Sequence, residues 1–321
     1  MKSQQMNKSM LKFFDYFFVL RPTLFFPVWT ISMAGYWAQA RFGESVGVAD
    51  GVYYFFDATF IITLGLFTLL MGGIFLLNQL EDIETDRLNN KLYLIANGDI
   101  SVRNARIETI LVSVVPFALA VWKRPDLAIV MAAAFFVMGW LYSSRPFVLK
   151  DRPFGGILAN ALGGYIVFFF GWMVHGTADL KVVVYATPYI LGMLAVYFFT
   201  TIPDKEGDAA TKKITVAVKF SIKTVLIMGV VSDALAIVMG FYTKDWVVLV
   251  PSILILPFFV DSTIKKSIDK VLKTNKFAAL FLSLVICIRF PFYLLLITGL
   301  FFFSKWYYKA RFDMNYPSFR T

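Results

Sequence analysis

Residues 58–86 read ATFIITLGLFTLLMGGIFLLNQLEDIETD, an apolar run that ends in a group of acidic residues. The stretch Ala58–Leu80 contains no Lys, Arg, Asp or Glu. A helix of about 20 apolar residues crosses the roughly 30 Å hydrocarbon core of a bilayer, so this stretch predicts a transmembrane helix. The acidic residues that follow would then lie where the helix leaves the hydrocarbon core.

Eight further apolar runs predict transmembrane helices on either side of this one. They are Leu24–Ala40, Ile107–Trp122, Leu127–Leu141, Gly155–Val174, Val182–Ile202, Val225–Tyr242, Trp246–Val260 and Phe277–Phe303. The last contains Arg289 and Pro291, so we expect it to kink or to re-enter the membrane. The fold class predicted is all-α, a polytopic bundle of about nine transmembrane helices around a central cavity that opens to the cytoplasmic side.

The composition of the whole chain excludes a soluble fold. Of the 321 residues, 59% are hydrophobic and 16% are charged, and the mean hydropathy is +0.69. Soluble domains are about 45–50% apolar and about 25% charged. We predict one membrane domain over residues 1–321, in which residues 1–16 form a cytoplasmic segment and residues 304–321 a C-terminal tail. The single cysteine, Cys287, excludes an intrachain disulfide.

The basic residues indicate how the chain lies in the membrane. The net charge is +10, but the charges occupy short loops between spans, which favours topology and lipid headgroups over nucleic acid. With the N-terminus inside and nine spans, 21 of the 31 Lys and Arg fall on the inner side. The segments that start at Asn78, Tyr142 and Asp204 then all emerge on the cytoplasmic side, which for a prokaryote is the inner face of the cell membrane.

The first acidic motif places oxygen ligands at a helical spacing. Asn78, Asp82 and Asp86 follow one another at four-residue steps, so they line one face if the helix continues. Aligned like charges repel, and charge within a membrane is costly. A divalent cation bridging to phosphate would offset both, because Mg²⁺ commonly binds one or two carboxylates plus substrate phosphates.

A second acidic motif repeats this spacing. Asp204 and Asp208 stand four residues apart after the sixth predicted span, as the first motif follows the second span. The equivalent positions predict that both motifs contribute to one metal–diphosphate site. Basic residues that could hold the anionic leaving group are Arg87, Lys91, Arg145 and Lys150.

Simpler explanations exist for several polar residues. Positive-inside anchoring explains Arg145 and Lys150 equally well. His175, the single histidine, falls on the predicted outer side, so we interpret it as a loop residue and not as a base. Arg289 is either functional or extends its side chain towards the interface. Glycine pairs at 155–156 and 163–164 predict close helix packing, or a cavity wall.

Taken in order, these motifs resemble the UbiA superfamily of intramembrane prenyltransferases over roughly residues 15–300. An Ile-Pro-Asp form of the second motif is also similar to homogentisate prenyltransferases and lycopene elongases. Two positions depart from the pattern: Thr201 replaces the first Asp of a D-x-x-D-x-x-x-D motif, and Lys212 replaces a usual Gly. The matching residues are Asn78, Asp82, Asp86, residues 96–101 (ANGDIS), Tyr142, Ser143, Lys150, Gly207, Asp208, Thr215, Val218 and Lys219.

This resemblance implies a Mg²⁺-dependent enzyme that moves a prenyl group from an allylic prenyl diphosphate donor to a lipophilic or aromatic acceptor, with membrane lipid around it. The implied metal ligands are Asn78, Asp82, Asp86, Asp204 and Asp208, the four Asp residues being catalytic. The implied diphosphate-binding residues are Asn78, Arg87, Lys91, Tyr142, Arg145 and Lys150.

Other functions of the same residues stay open. Within the superfamily, the alternatives are a lycopene elongase, a prenyltransferase acting on isoprenoid glycerol phosphates and a terpene cyclase. A transporter is the alternative from another class, because intramembrane acids can also relay protons or bind cations. The grouping of the acids on one predicted side and the absence of an apparent inverted repeat favour the enzyme.

Overall fold

The computed structural model describes residues 11–42, 57–88 and 94–318, and the helix is the only regular element within these ranges. The predicted all-α membrane bundle is therefore confirmed. Residues 11–18 form α1. The other helices are α2 Phe25–Phe42, α3 Ala58–Glu81, α4 Ile83–Leu88, α5 Val102–Lys123, α6 Pro125–Ala134, α7 Pro153–Met173, α8 Lys181–Thr200, α9 Lys205–Ala210, α10 Val216–Lys219, α11 Ile222–Thr243, α12 Trp246–Lys265, α13 Ile268–Arg289 and α14 Pro291–Phe312.

The long helices fall on the predicted spans. Among the described residues, eight helical segments are long and apolar enough to cross a membrane. The segment Pro125–Leu141, which joins α6 to a π-helical turn, is apolar but shorter. Arg124 alone separates it from α5, because Pro125 cannot continue the hydrogen-bond ladder of the preceding helix. The predicted pair of spans here is thus two distinct helices.

The ninth predicted span, Phe277–Phe303, is wrong as a single element. The chain breaks at Phe290, and α13 and α14 are separate helices on either side of it. Pro291 causes the break, since proline lacks the amide hydrogen and disfavours a helical conformation in the residue before it. Arg289, the last residue of α13, lies with its guanidinium 4.3 Å from the centre of the Trp37 ring.

Helix α14 runs back along the bundle. Near its start, the Tyr293 hydroxyl lies 2.8 Å from Oγ1 of Thr30 in α2. Near its end, the Tyr307 hydroxyl donates to Asp15 at 2.6 Å, and Arg311 pairs with Asp15 at 3.1 Å. The nine-span scheme puts the C-terminal tail opposite the N-terminus, but the end of α14 lies beside α1.

Backbones approach closely where α2 crosses α7. A Cβ atom added at Gly171 would lie 1.8 Å from the carbonyl oxygen of Ser32, and one added at Gly35 would lie 1.9 Å from that of Phe168. These glycines let the two helices meet in the centre of the bundle. Gly163 and Gly164 serve both expected purposes, because they face Met138 and Met193 and also line a cavity between the helices.

The acidic motifs and the turn between α1 and α2 share one end of the bundle, which we call the motif end. It is the end at which α3 and α8 finish and α7 begins. Gln79, beside the first motif, donates to the carbonyl oxygen of Val19 at 2.7 Å. This contact holds the turn between α1 and α2 against the end of α3.

Candidate functional site

The first acidic motif lies where α3 gives way to α4. Asp82 caps α3, its amide hydrogen bonding to the carbonyl oxygen of Asn78 at 3.1 Å. The amide of Asp86 in turn donates to the carbonyl oxygen of Asp82 at 2.8 Å. The expected continuous helix is interrupted at Asp82, but the four-residue step is kept. Asp86 is buried, with 7% of its surface exposed.

Asp82 is the centre of a charged cluster. Its Oδ2 lies 2.5 Å from Nζ of Lys150, and its Oδ1 lies 3.2 Å from Nζ of Lys213. Lys213 also lies 3.7 Å from Asp151. Burial raises the pKa of Asp82, but the two ammonium groups outweigh it and hold that pKa below its ordinary value.

Lys213 connects the second acidic motif to the first. The loop that carries it follows α9, and its amide donates to the carbonyl oxygen of Asp208 at 2.9 Å. Burial lowers the pKa of Lys213, but the charges of Asp82, Asp151 and Asp208 outweigh it and raise the pKa above its ordinary value. One cation therefore faces acids from both motifs.

Asp204 and Asp208 stand at the start of α9 and within it. The Asp208 carboxylate accepts a hydrogen bond from the Thr215 hydroxyl at 3.0 Å, and the Asp208 amide bonds to the carbonyl oxygen of Asp204 at 2.9 Å. Asp204 is exposed at the surface of the motif end. The two residues thus differ in exposure: Asp208 is half-buried beside Thr215, and Asp204 is exposed.

A cavity of about 460 Å³ lies inside the bundle, and Asn78, one helical turn before Asp82, is among the residues that line it. Asn78 and Tyr142 line it at the motif end, and Met193 lines it deeper in α8. The Asn78 amide donates to the Ser143 hydroxyl at 3.0 Å, and the side chains of Tyr142 and Asn160 are hydrogen-bonded. Charged groups at one end and apolar walls beyond them suit a ligand with an anionic head and a hydrocarbon chain.

The other predicted residues contact groups outside the cluster, are exposed, or lie outside the described ranges. The Arg87 guanidinium donates to the carbonyl oxygen of Ala96 at 2.9 Å. Arg145 is exposed in the loop before α7. Lys91 lies outside the described residues. His175 pairs with Asp57 at the opposite end of the bundle.

Sequence reasoning missed Lys213, Asp151 and Asn160. Lys213 lies 131 residues from Asp82 in the chain, and no spacing rule connects the two. Asp151 follows the predicted Lys150 directly in the sequence, and this adjacency is the one signal that could have identified it. Asn160 lies within an apolar predicted span, where a polar amide can mark a cavity wall.

The donor groups suit a hard divalent cation, which prefers carboxylate and amide oxygens. Among the described residues, however, no group of three or more histidine, cysteine and acidic side chains is arranged to hold a metal ion. Both oxygens of Asp82 instead bind lysine ammonium groups. A cation that arrived with a diphosphate would compete with these lysines for the Asp82 carboxylate. The displaced ammonium groups could then bind the phosphate oxygens.

Three curated relatives share part of this chain, including two homogentisate phytyltransferases. The probable homogentisate phytyltransferase 2 of Oryza sativa is 27% identical over 51% of this chain and 46% of its own length. The homogentisate phytyltransferase of Synechocystis is 29% identical over 44% of this chain and 49% of its own. The chain thus spans about half the length of the curated relatives it matches.

Solved structures share the fold over most of the chain. A UbiA homologue from Archaeoglobus fulgidus, bound to GPP and Mg²⁺, has a TM-score of 0.61 and 21% identity, over 85% of this chain and 99% of its own. A homologue from Aeropyrum pernix K1 has a TM-score of 0.61 and 14% identity, over 85% of this chain and 98% of its own.

A family model gives the assignment. The model of the UbiA prenyltransferase family matches residues 28–285, from α2 almost to the end of α13. The match includes both acidic motifs, the Lys150 loop and most of the residues that line the cavity. This protein therefore belongs to the UbiA prenyltransferase family.

Proposed function

We propose that this protein is an integral-membrane prenyltransferase that moves a prenyl group from an allylic prenyl diphosphate to a lipophilic or aromatic acceptor. One observation carries the proposal most directly. Asp82, Lys150 and Lys213 gather opposite charges at the motif end. Asn78, one helical turn before Asp82, lines a largely apolar cavity together with Tyr142. This combination fits a donor with a charged diphosphate and a hydrocarbon chain.

The proposed diphosphate site uses the residues at the motif end. Mg²⁺, held by Asn78, Asp82, Asp86, Asp204 and Asp208, would supply the Lewis acidity that weakens the bond to the leaving diphosphate. Lys150 and Lys213 would turn from Asp82 to the diphosphate oxygens. Their positive charges then stabilise the leaving group as negative charge develops on it.

The cavity is the proposed place where the prenyl chain is held and transferred to the acceptor. Its apolar walls, among them Met71, Met138 and Met193, would hold the prenyl chain and exclude water from the allylic cation. The acceptor then captures the allylic cation faster than water does. The acceptor forms the new carbon bond and releases a proton, and diphosphate leaves towards the motif end.

The names of the relatives favour an aromatic acceptor. Two are homogentisate phytyltransferases, and a third, from Humulus lupulus, is a 2-acyl-4-prenylphloroglucinol 6-prenyltransferase that is 28% identical over 51% of this chain. We therefore place a phenolic acceptor ahead of a glycerol phosphate or a carotenoid. The cytoplasm is the compartment that we propose for the N-terminus and the motif end.

The test is incubation of the purified protein with Mg²⁺ and prenyl diphosphates of several lengths against a panel of acceptors. Mass spectrometry then identifies the products, and a phosphate assay follows diphosphate release. We expect Asp82→Ala and Asp208→Ala each to abolish transfer, since each removes a carboxylate of the proposed site.

A surface variant provides the matched control. Asp261→Ala also removes one carboxylate, but from an ion-paired group between α12 and α13 that pairs with Lys265 and Lys270. We expect it to keep wild-type turnover, and all three variants to elute from detergent as folded protein. Wild-type turnover in both site variants would refute the proposal.

A further inference from the structure

A second cavity, which we call the distal chamber, lies deeper in the bundle. It has a volume of about 120 Å³ and lies between α2, α8, α11, α12 and α13. Pro27, Ile31 and Met193 line both this chamber and the larger cavity. The two spaces therefore adjoin, and the flexible side chain of Met193 lies at their boundary.

The distal chamber lies farther from the motif end than the charged cluster does. Along α8, Thr200 lines the larger cavity at the motif end, Met193 lines both spaces, and Tyr189 lines the chamber. Three helical turns separate Thr200 from Tyr189, a distance of about 16 Å. If the diphosphate of a prenyl donor lies at Asp82, the end of the prenyl chain farthest from the diphosphate would thus approach the chamber.

The wall of the chamber carries a buried carboxyl group. Asp233 lies in the middle of α11 and is 1% exposed. The Ser252 hydroxyl is hydrogen-bonded to this side chain, yet Oδ2 of Asp233 has no hydrogen-bond partner among the described residues. An unpartnered buried polar atom is costly, and an ionisable residue in mid-membrane is a functional candidate.

We propose that Asp233 makes the distal chamber a polar stop for the prenyl chain, so that the enzyme selects donors whose chains end before it. This inference rests on the proposed function. A hydrocarbon tail that entered the chamber would lie against Asp233 and would offer no hydrogen bond to its unpartnered Oδ2. A shorter tail leaves the space to water or to another hydrogen-bonding molecule, for which a cavity of this size has room beside Asp233 and Ser252.

The first test compares an apolar with a polar replacement of this carboxyl group. Asp233→Leu removes the polar atoms and keeps the branching and the number of non-hydrogen atoms, although its methyl groups are larger than the carboxylate oxygens. Asp233→Asn keeps both the shape and the hydrogen-bonding capacity. The value of kcat/KM is measured with dimethylallyl, geranyl, farnesyl and geranylgeranyl diphosphates and one acceptor. We expect Asp233→Leu to raise the preference for the longest donor over the shortest by about tenfold, and Asp233→Asn to keep the wild-type profile.

A second variant locates the effect in the chamber. Ala279 on α13 lines it, so Ala279→Leu fills the space that a longer tail would enter. Added to Asp233→Leu, it should remove the gain with long donors and leave the shortest donor unaffected. If Asp233→Leu does not fold, as judged by elution and thermal unfolding in detergent, Asp233→Met takes its place in both experiments.

The outcomes separate this inference from the proposed function. Three outcomes would each overturn the polar stop: an unchanged donor preference in Asp233→Leu, an equal change of preference in Asp233→Asn, or a gain with long donors that persists when Ala279→Leu is added. In all three cases, turnover by the enzyme still supports the proposed transferase function. If the wild-type protein releases no diphosphate from any donor, the proposed function fails, and the polar stop fails with it.

Discussion

Lys213 binds Asp82 from a loop that belongs to the other half of the chain. It also faces Asp151 and Asp208, so one ammonium group holds three acids of the motif end together. The lowered pKa of Asp82 and the raised pKa of Lys213 keep both groups charged at neutral pH. The proposed diphosphate would meet a cation that is already positioned here, so less free energy would be lost in ordering the lysine side chain on binding.

Replacing Lys213 with methionine tests this role. The change keeps the length of the side chain but removes its charge, so we expect the KM for the prenyl diphosphate to rise about tenfold, since a hydrogen bond to a charged group contributes about 1.5–3 kcal/mol. Initial rates at varied donor concentration measure it.

The neighbouring lysine is the control for this substitution. Lys212 is exposed, and Lys212→Met removes the same charge from the same loop. We expect the KM for the donor to stay within twofold of wild type, since screened surface charges contribute about 0–1 kcal/mol. An equal rise in both variants would mean that the net charge of the loop, and not the position of Lys213, attracts the donor.

At the level of helices, the close crossing of α2 and α7 shapes the cavity. Gly171 lies against the backbone of Ser32 and Tyr36, with no flexible side chain between them. We expect Gly171→Ala to lower the free energy of unfolding by about 1–3 kcal/mol, because the added methyl group forces the backbones apart. The midpoint of thermal unfolding in detergent, followed by circular dichroism, measures the loss.

A glycine in open space provides the matched control. Gly65 lies within α3 and has no atom within 4 Å of an added Cβ. Gly65→Ala should leave the midpoint unchanged or raise it, since alanine favours a helix by about 1 kcal/mol over glycine. A fall of equal size in both variants would contradict the explanation from close packing.

The sequence predicts helices more accurately than it predicts their ends and contacts. Long apolar runs reveal the spans, because the thickness of the bilayer sets their length. Pro291 predicts a kink in the last span, but apolar residues continue on both sides of it, so the sequence does not predict two separate helices. The acidic motifs were visible because α-helical spacing is local, whereas the contact between Lys213 and Asp82 depends on how two distant loops meet.

At the scale of the whole molecule, α14 lies beyond the part of the chain that matches the family model. It is a helix of 22 residues, about 33 Å, which is long enough to cross a bilayer core, although it is less apolar than the eight helical segments described above. Arg311 at its far end pairs with Asp15 and Asp99. A crossing here brings Lys305, Lys309 and Arg311 to the motif end. The nine-span scheme places these basic residues on the outer side, so the crossing agrees better with the positive-inside pattern.

This arrangement predicts which positions share a side of the membrane. In a Cys287→Ser background, single cysteines replace Lys309 at the end of α14, Lys223 at the start of α11 and Ala178 before α8, all exposed. A membrane-impermeant maleimide on intact cells should label Ala178→Cys alone, because Lys309 and Lys223 lie at the motif end, which we place in the cytoplasm. All three should label after solubilisation in detergent. Labelling of Lys309→Cys together with Ala178→Cys would show that α14 does not cross, and labelling of Lys223→Cys from outside would reverse the proposed orientation.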